Sequence, residues 1–306
     1  MQRRFSDYLI ITFKGLAMGA ADAVPGVSGG TIAFISGIYE ELISTISNVN
    51  ASLFKTLFSK GFKDFWTQLN GNFILALLTG IIISFVTFMK LASYLLIYYP
   101  ILIWSFFFGL ILASIYFVGK QITKWNAATI IALLLGASVA FYISKMPSLS
   151  TNDSSLFLFF AGALAICAMI LPGISGSFIL IILGAYKTLS DAIHDIDIKK
   201  IMIFGTGAVI GLLSFSHVLK WLFKHYHNIT LAVLTGFIFG SLNKVWPWKN
   251  TLTWHTSSKG IKTPLLQESI SPFNFEGNNH VLFAVILMIL GFLTIFILEK
   301  LGSKKQ

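Results

Sequence analysis

Charged side chains are scarce in this chain of 306 residues. They make up 11% of the sequence, whereas soluble domains carry about 25%. Apolar residues make up 56%, and several apolar runs reach or approach the ~20 residues that cross a bilayer. These runs cover residues 72–98, 101–119, 126–144, 200–223, 229–245 and 280–299. The composition excludes a soluble globular protein and predicts an all-α polytopic membrane protein, with one membrane domain over residues 1–306.

Cysteine and acidic residues are also rare, and each shortage removes a class of function. The single Cys167 cannot form an internal disulfide. The six histidines show no clustered spacing with carboxylates, so we predict no metal site and no cofactor. The net charge is +10. In so apolar a chain, we interpret this excess as basic loops that face anionic lipid and not as a nucleic-acid surface.

One phrase occurs twice in the sequence. It reads Pro25-Gly26-Val27-Ser28-Gly29-Gly30-Thr31 near the start and Pro172-Gly173-Ile174-Ser175-Gly176-Ser177-Phe178 halfway along. From Pro25 to Leu42, nine of eighteen positions are identical at an offset of 147, and weaker matches at an offset of 127 continue the similarity. We therefore predict two repeats, at about 8–145 and 155–300. Each is a re-entrant or otherwise broken helix pair followed by three transmembrane helices.

The number of spans between the two motifs predicts their relative orientation. Three spans are an odd number of crossings, whereas a pair that dips in and returns, or crosses twice, keeps the same side. We therefore predict an inverted-topology repeat, a common plan of secondary transporters. A duplication retained only for stability is the alternative.

Lysine and arginine are distributed unequally between the two predicted faces. The face that carries Arg3, Arg4 and the lysines of segment 52–69 collects more of them, which predicts that both termini are cytoplasmic. In segment 52–69, aromatic and aliphatic residues recur at helical spacing with lysines between them. We expect an interfacial amphipathic helix there; a short soluble helix packed on a loop is the alternative.

Both motifs have the composition of an anion site. Pro25, Gly26, Pro172 and Gly173 break the helix. Ser28 and Ser175 are suited to N-cap a following helix, which we expect to extend to about Thr45 in the first half and Leu189 in the second. Free backbone N–H groups and small residues at a helix start suit phosphate. The predicted phosphate-binding residues are Ser28, Gly29, Gly30, Thr31, Ser175, Gly176 and Ser177. Two packing kinks are the alternative.

Ionisable residues within apolar segments are functional candidates by default. Asp22 precedes the first break and aligns with Met169, so only one half has it; a proton-carrying or gating role suits it better than phosphate binding. Lys90 aligns with His217, and either could neutralise a phosphate. Lys14 and Glu40 complete the set of charge candidates. For each of these alone, a structural or snorkelling role is an equal alternative.

The run from Gly15 to Thr31, together with Leu171 to Ser177, resembles the polyprenyl-phosphate transporter family. The resemblance extends over about residues 8–300. It implies a flippase of the bacterial cytoplasmic membrane that returns undecaprenyl phosphate for reuse in peptidoglycan and other cell-envelope synthesis. The two motifs and Asp22 match the family's positions. The implied partners are the lipid phosphate and the bilayer; coupling to a proton or another ion stays open.

Three other functions compete with this interpretation. Membrane polyprenyl-pyrophosphate phosphatases use similar Ser/Gly-rich segments, but they pair them with an arginine and clustered glutamates. Here neither break contains Arg or His, and phosphoryl transfer needs a cation at the transferring group. We therefore expect no enzyme activity. The second competing function is transport of a different anion or lipid, and the third is a scaffold that transports nothing.

Overall fold

The computed structural model describes residues 3–23, 28–146, 152, 154–256 and 262–303, and these are mostly helical. The helices of the first half are α1 (Phe5–Asp22), α2 (Gly29–Ile35), α3 (Tyr39–Ser47), α4 (Ala51–Lys60), α5 (Phe62–Leu69), α6 (Gly71–Tyr98), α7 (Pro100–Lys120) and α8 (Ala127–Lys145). Those of the second half are α9 (Ser155–Ile170), α10 (Gly176–Ile182), α11 (Ala185–His194), α12 (Ile198–Gly240), α13 (Leu242–Val245) and α14 (Val281–Ser303). A hairpin of β1 (Lys249–Thr256) and β2 (Lys262–Ser269) and a 3₁₀ turn (Pro272–Asn274) precede α14.

Long apolar helices confirm the prediction of a polytopic membrane protein. Within the described residues, the stretches Gly71–Met89, Pro100–Lys120, Ala127–Lys145 and Ile198–Val245 are each long and apolar enough to cross a bilayer. The bent pair α10 and α11 would make a fifth. The stretch Ile198–Val245 has 48 residues, about twice the length of one crossing. It joins the predicted runs 200–223 and 229–245.

A backbone kink divides α12, and it has a counterpart in the first half. Tyr226 inside α12 is non-helical, with φ −134° and ψ 45°. Tyr99, which separates α6 from α7, has φ −136° and ψ 50°. The two tyrosines are aligned at the offset of 127. The chain therefore makes the same turn at the same place in each half.

Close glycine contacts also recur at aligned positions. A Cβ on Gly15 would meet the carbonyl oxygen of Leu77, and one on Gly162 would meet that of Phe204. Gly162 and Phe204 are the residues that align with Gly15 and Leu77. The packing of α9 on α12 therefore repeats the packing of α1 on α6. These contacts bring backbones together, the usual way in which helices associate within a membrane.

Each half also packs against the other through the same kind of contact. A Cβ on Gly109 of α7 would meet the carbonyl oxygen of Met288 in α14, and one on Gly236 of α12 would meet that of Leu133 in α8. The central helices of each half are therefore bound to the last helix of the opposite half.

The helix that follows each motif is interrupted, which corrects our expectation. In place of helices to Thr45 and Leu189, α2 ends at Ile35 and α10 ends at Ile182. Gly37 (φ +72°) and Gly184 (φ +71°) adopt the left-handed conformation that favours glycine. The axes of α10 and α11 consequently differ by 110°.

Two predicted segments have a different structure from the one expected. Segment 52–69 is not one helix, because Gly61 with φ +87° separates α4 from α5. The loop before α14 is a local exception to the all-α prediction, because β1 and β2 pair antiparallel there with Lys249 opposite Ser269. The β-branched Thr251 and Thr253 favour an extended backbone there.

Candidate functional site

The two motifs contact each other directly. The Gly173 backbone N–H donates to Thr31 Oγ1 at 2.9 Å. The Ser28 hydroxyl lies 3.2 Å from the Met169 carbonyl oxygen and 3.3 Å from that of Leu171, so it donates to the end of α9. Ser28 and Thr31 are 3% and 1% exposed. Residues 28–31 of the first motif are therefore buried against the second break.

Glycine at position 30 is required by this contact. A Cβ there would lie 2.5 Å from the Ile170 carbonyl oxygen and 3.1 Å from that of Met169. Both distances are shorter than van der Waals contact, and both neighbours are backbone atoms that cannot rotate away. Any side chain at Gly30 would push α2 and α9 apart.

The start of α2 already holds an anion, the carboxylate of Asp22. Asp22 Oδ1 accepts a hydrogen bond from the Gly29 backbone N–H at 2.7 Å, while Ser28 Oγ accepts from Gly30 N–H at 3.1 Å. A Cβ on Gly29 would collide with the Asp22 carboxyl group. The predicted N-cap role of Ser28 is therefore confirmed. Part of the predicted phosphate site is filled by the protein itself.

Lys14 lies at the other end of α2. Its Nζ donates to the Ser36 carbonyl oxygen at 2.6 Å, where α2 ends. Because Lys14 and Asp22 are both in α1, one helix supplies a cation to the C-terminus of α2 and an anion to its N-terminus. Both charges have the sign that stabilises a helix end, so Lys14 has a structural contact in this structure.

The second break has different chemistry. Met169 replaces Asp22, and Ser175 makes no capping bond to α10; its hydroxyl lies 2.9 Å from that of Ser177. A Cβ on Gly176 would lie 2.6 Å from the Ala165 carbonyl oxygen, so this glycine permits close packing of α10 on α9. The break faces a small cleft. The cleft is lined by Ala140, Ile143, Ser144, Gly173, Ile174, Ser175, Phe178, Ser241 and Lys244.

Lys244 brings a positive charge to this cleft. Its Nζ lies 4.0 Å from the centroid of the Phe178 ring, a cation–π contact. The neighbouring Lys249 donates to the Lys244 carbonyl oxygen at 2.5 Å, and its Nζ lies 3.9 Å from the Trp104 ring centroid. Burial, followed by the charge of Lys244, lowers the pKa of Lys249 well below its ordinary value.

The remaining charge candidates make other contacts. His227 Nε2 lies 3.1 Å from Glu40 Oε1, and the exposed ring of His217 bonds the Leu213 carbonyl oxygen of its own helix at 2.7 Å. Lys90 belongs to α6, but its side chain lies outside the described part, as do Pro25 and Gly26 entirely. These contacts do not join Glu40 or His217 to either break.

Lys244 is the site residue that sequence reasoning misses. It is the next-to-last residue of the apolar run 229–245. Neither break contains a cation along the chain, but the second has one in space, because α13 brings Lys244 to Phe178. The sequence feature that could have identified Lys244 is its position near the end of an apolar run. Among the described residues, no group of three His, Cys, Asp or Glu could hold a metal ion.

Comparison with known proteins agrees with the sequence pattern. The chain is 46% identical, over 99% of its length and 100% of the relative's, to the polyprenyl-phosphate transporter of Vibrio cholerae serotype O1 (strain ATCC 39315 / El Tor Inaba N16961). It is 31% identical, over 80% of its length and 89% of the relative's, to the polyprenyl-phosphate transporter of Staphylococcus aureus (strain NCTC 8325 / PS 47). No solved structure matches it. Residues 18–263 match the family described as VCA0040-like, undecaprenyl phosphate translocase-like. The chain belongs to this family.

Proposed function

We propose that this protein is a flippase that moves a polyprenyl phosphate, such as undecaprenyl phosphate, across the bacterial cytoplasmic membrane for reuse of the lipid carrier. The observation that carries the proposal is the direct contact between the two broken motifs, through Thr31 and Gly173 and through Ser28 and the end of α9. Irregular backbone at membrane depth persists only within protein or beside a wet cavity. Both relatives are named as transporters of this lipid class.

The architecture of the carrier is an inverted repeat, with both termini in the cytoplasm. Each half, about 8–145 and 155–300, supplies a broken pair and three spans. The matching turns at Tyr99 and Tyr226 and the matching glycine contacts support a repeat. The inverted orientation follows from the odd number of crossings in each half. Rocking of one half against the other would then open the buried motifs to alternate sides.

The phosphate headgroup binds at the two motifs when they part. In the first motif, phosphate oxygens take the place of the Asp22 carboxylate on the Gly29 N–H and reach Gly30 and the Thr31 hydroxyl. In the second, the Ser175 and Ser177 hydroxyls and the backbone at Gly176 receive it. The prenyl chain stays in lipid and leaves between helices. Proton coupling through Asp22 is the corresponding proposal for the driving force.

A reconstituted flip assay tests this function. Purified protein in liposomes should move the headgroup of a labelled polyprenyl phosphate between leaflets. The double variant Ser175→Ala/Ser177→Ala should slow this movement at least tenfold, because it removes both hydroxyls without adding bulk. Thr79→Ala is the matched control, since Thr79 is exposed and its hydroxyl donates to the Leu75 carbonyl oxygen of its own helix. No headgroup movement with the unaltered protein would overturn the proposal.

The same preparation separates a carrier from a phosphatase. Lys244 near Ser175 gives the second break a cation, which is the element that the sequence motifs themselves lack. A carrier leaves the phosphate ester intact, so incubation with polyprenyl pyrophosphate should release no inorganic phosphate. Release that Ser175→Ala abolishes would replace the proposed function with an enzyme.

A further inference from the structure

A lysine inside an apolar fold normally extends its stem so that the ammonium group reaches water. Lys244 instead directs its ammonium over the ring of Phe178, in the helix that follows the second motif. Lys244 is only partly exposed. Among the residues that the structure describes, no carboxylate forms an ion pair with it. A buried cation without a counter-ion is costly unless an anion completes its surroundings.

The groups around Lys244 also indicate what it can bind. Ser241 Oγ donates to the Ile238 carbonyl oxygen at 2.7 Å, and Ser144 Oγ donates to that of Phe141 at 2.7 Å, so both protons are already used. The Ser175 and Ser177 hydroxyls bond each other, and either can turn its proton to a ligand. The cleft thus offers one ammonium group and the Ser175 hydroxyl, and the Ser177 hydroxyl adjoins Ser175 outside the lining. An ammonium group beside adaptable hydroxyls matches a small oxyanion such as a phosphate monoester.

The first half has no equivalent of this arrangement. Phe117 aligns with Lys244, whereas Asp22 aligns with Met169. The first break therefore holds a carboxylate and the second a lysine. In the structure as it stands, an incoming anion is repelled at one break and attracted at the other.

We propose that Lys244 and Ser175, with the adjoining Ser177, form the phosphate-binding site at the second break, and that the headgroup of the lipid binds beside Phe178 as this narrow cleft widens. This inference rests on the proposed function. It adds Lys244 to the site and gives the order in which the two breaks bind the headgroup. The headgroup engages the second break first, and it engages the first break only after Asp22 leaves the Gly29 N–H.

Equilibrium binding to purified full-length protein in detergent tests the site, with geranylgeranyl phosphate as the probe and geranylgeraniol as its uncharged counterpart. Lys244→Gln should weaken phosphate binding roughly ten- to hundredfold, as expected for the loss of a hydrogen bond to a charged group. It should leave weak binding of the alcohol unchanged. Lys244→Arg keeps the charge and should restore most of the affinity. Lys187→Gln, which removes an exposed lysine of α11, should have no effect.

Inorganic phosphate separates a lipid headgroup from a free anion. It should compete with geranylgeranyl phosphate only at concentrations at least a hundredfold higher, because it lacks the chain. Equal competition would overturn the assignment to a lipid. Equal affinity of Lys244→Gln and the unaltered protein would overturn the site while leaving the proposed function standing. Failure of the unaltered protein to bind geranylgeranyl phosphate would count against the proposed function itself.

A labelling experiment tests the site without a substitution, in case Lys244→Gln does not fold. Lysines of the unaltered protein are acylated with and without geranylgeranyl phosphate and are quantified by mass spectrometry. The ligand should slow the acylation of Lys244 at least fivefold and leave that of Lys187 unchanged. Unchanged labelling of Lys244 at saturating ligand would overturn the inference.

Discussion

Replacing Asp22 by alanine removes the acceptor of the Gly29 N–H and the negative charge at the start of α2. The bond is 2.7 Å long, and a hydrogen bond to a charged group contributes about 1.5–3 kcal/mol. The favourable interaction of a carboxylate with a helix start adds roughly 0.3–1 kcal/mol. Because water can reach part of Asp22 and partly replace the lost bond, we expect Asp22→Ala to lower the free energy of unfolding by about 2 kcal/mol.

Thermal unfolding in detergent measures this loss. A loss of that size should lower the melting temperature by roughly 3 °C. Asp64→Ala is the matched control, because Asp64 also lies in the first turn of a helix, α5, but is exposed. An unchanged melting temperature for Asp22→Ala would show that the carboxylate does not hold α2.

The same variant tests whether phosphate and Asp22 compete. With the carboxylate gone, a polyprenyl phosphate can reach the Gly29 N–H, and a ligand stabilises the folded protein more as its affinity rises. Geranylgeranyl phosphate should therefore raise the melting temperature of Asp22→Ala more than that of the unaltered protein. A smaller rise would refute the idea that the carboxylate occupies a phosphate position.

Three shorter predictions concern the surrounding structure. Gly30→Ala should destabilise the protein by at least ~2 kcal/mol, because the new Cβ would meet the Ile170 carbonyl oxygen. Gly205→Ala, which has open space around it, should stabilise the protein by up to about 1 kcal/mol. Equal effects of the two substitutions in unfolding curves would contradict the packing at Gly30. Burial raises the pKa of Glu41, but bonds to Arg3 and Asn70 outweigh it and lower the pKa. The stability that the Arg3–Glu41 pair contributes is therefore complete above the unfolded-state pKa of about 4.3 and is lost as the pH falls through the folded-state pKa. Glu41→Gln should flatten the acid limb of a plot of unfolding free energy against pH. An unchanged acid limb would count against the pair. Phe58 of the basic helix α4 is 87% exposed. Phe58→Ser should weaken the binding of a peptide of residues 50–70 to anionic vesicles severalfold. Equal binding of the two peptides would show that Phe58 does not contact the membrane surface.

The regular part of the fold could be predicted because it follows from composition and spacing. Long apolar runs give α6, α7 and α8 nearly to the residue, and the repeated motif identifies where the helices break. Gly37 and Gly184 are visible as identities in the alignment, but their left-handed backbone is not, because glycine permits this conformation without requiring it. A single helix after each motif is therefore predicted where the structure has two.

The chemistry of the breaks could be predicted only in part, because it depends on contacts between distant residues. Local sequence predicts Ser28 as a cap, and it is one. The contact of Ser28 with the end of α9 depends on how the two halves pack. The position of Lys244 beside Phe178 depends on this packing too. The apolar context of Asp22 marks it as unusual, but local sequence does not predict its hydrogen bond with the Gly29 N–H.

The repeat itself allows the charge asymmetry between the breaks to be tested, because Met169 stands where the first half has Asp22. A Cβ built on Gly176 would lie 3.2 Å from Met169 Cβ, so a carboxylate at position 169 would be near the start of α10, as Asp22 is near Gly29. Met169→Asp should therefore place an anion beside the start of α10, at the second break. It should weaken the binding of geranylgeranyl phosphate at least tenfold, the effect of a like charge worth about 1.4 kcal/mol. Met169→Leu, which keeps an apolar side chain of similar size, should bind as the unaltered protein does. If Met169→Asp also binds normally, the phosphate does not approach this break, and the difference between Asp22 and Met169 does not determine where the headgroup is received.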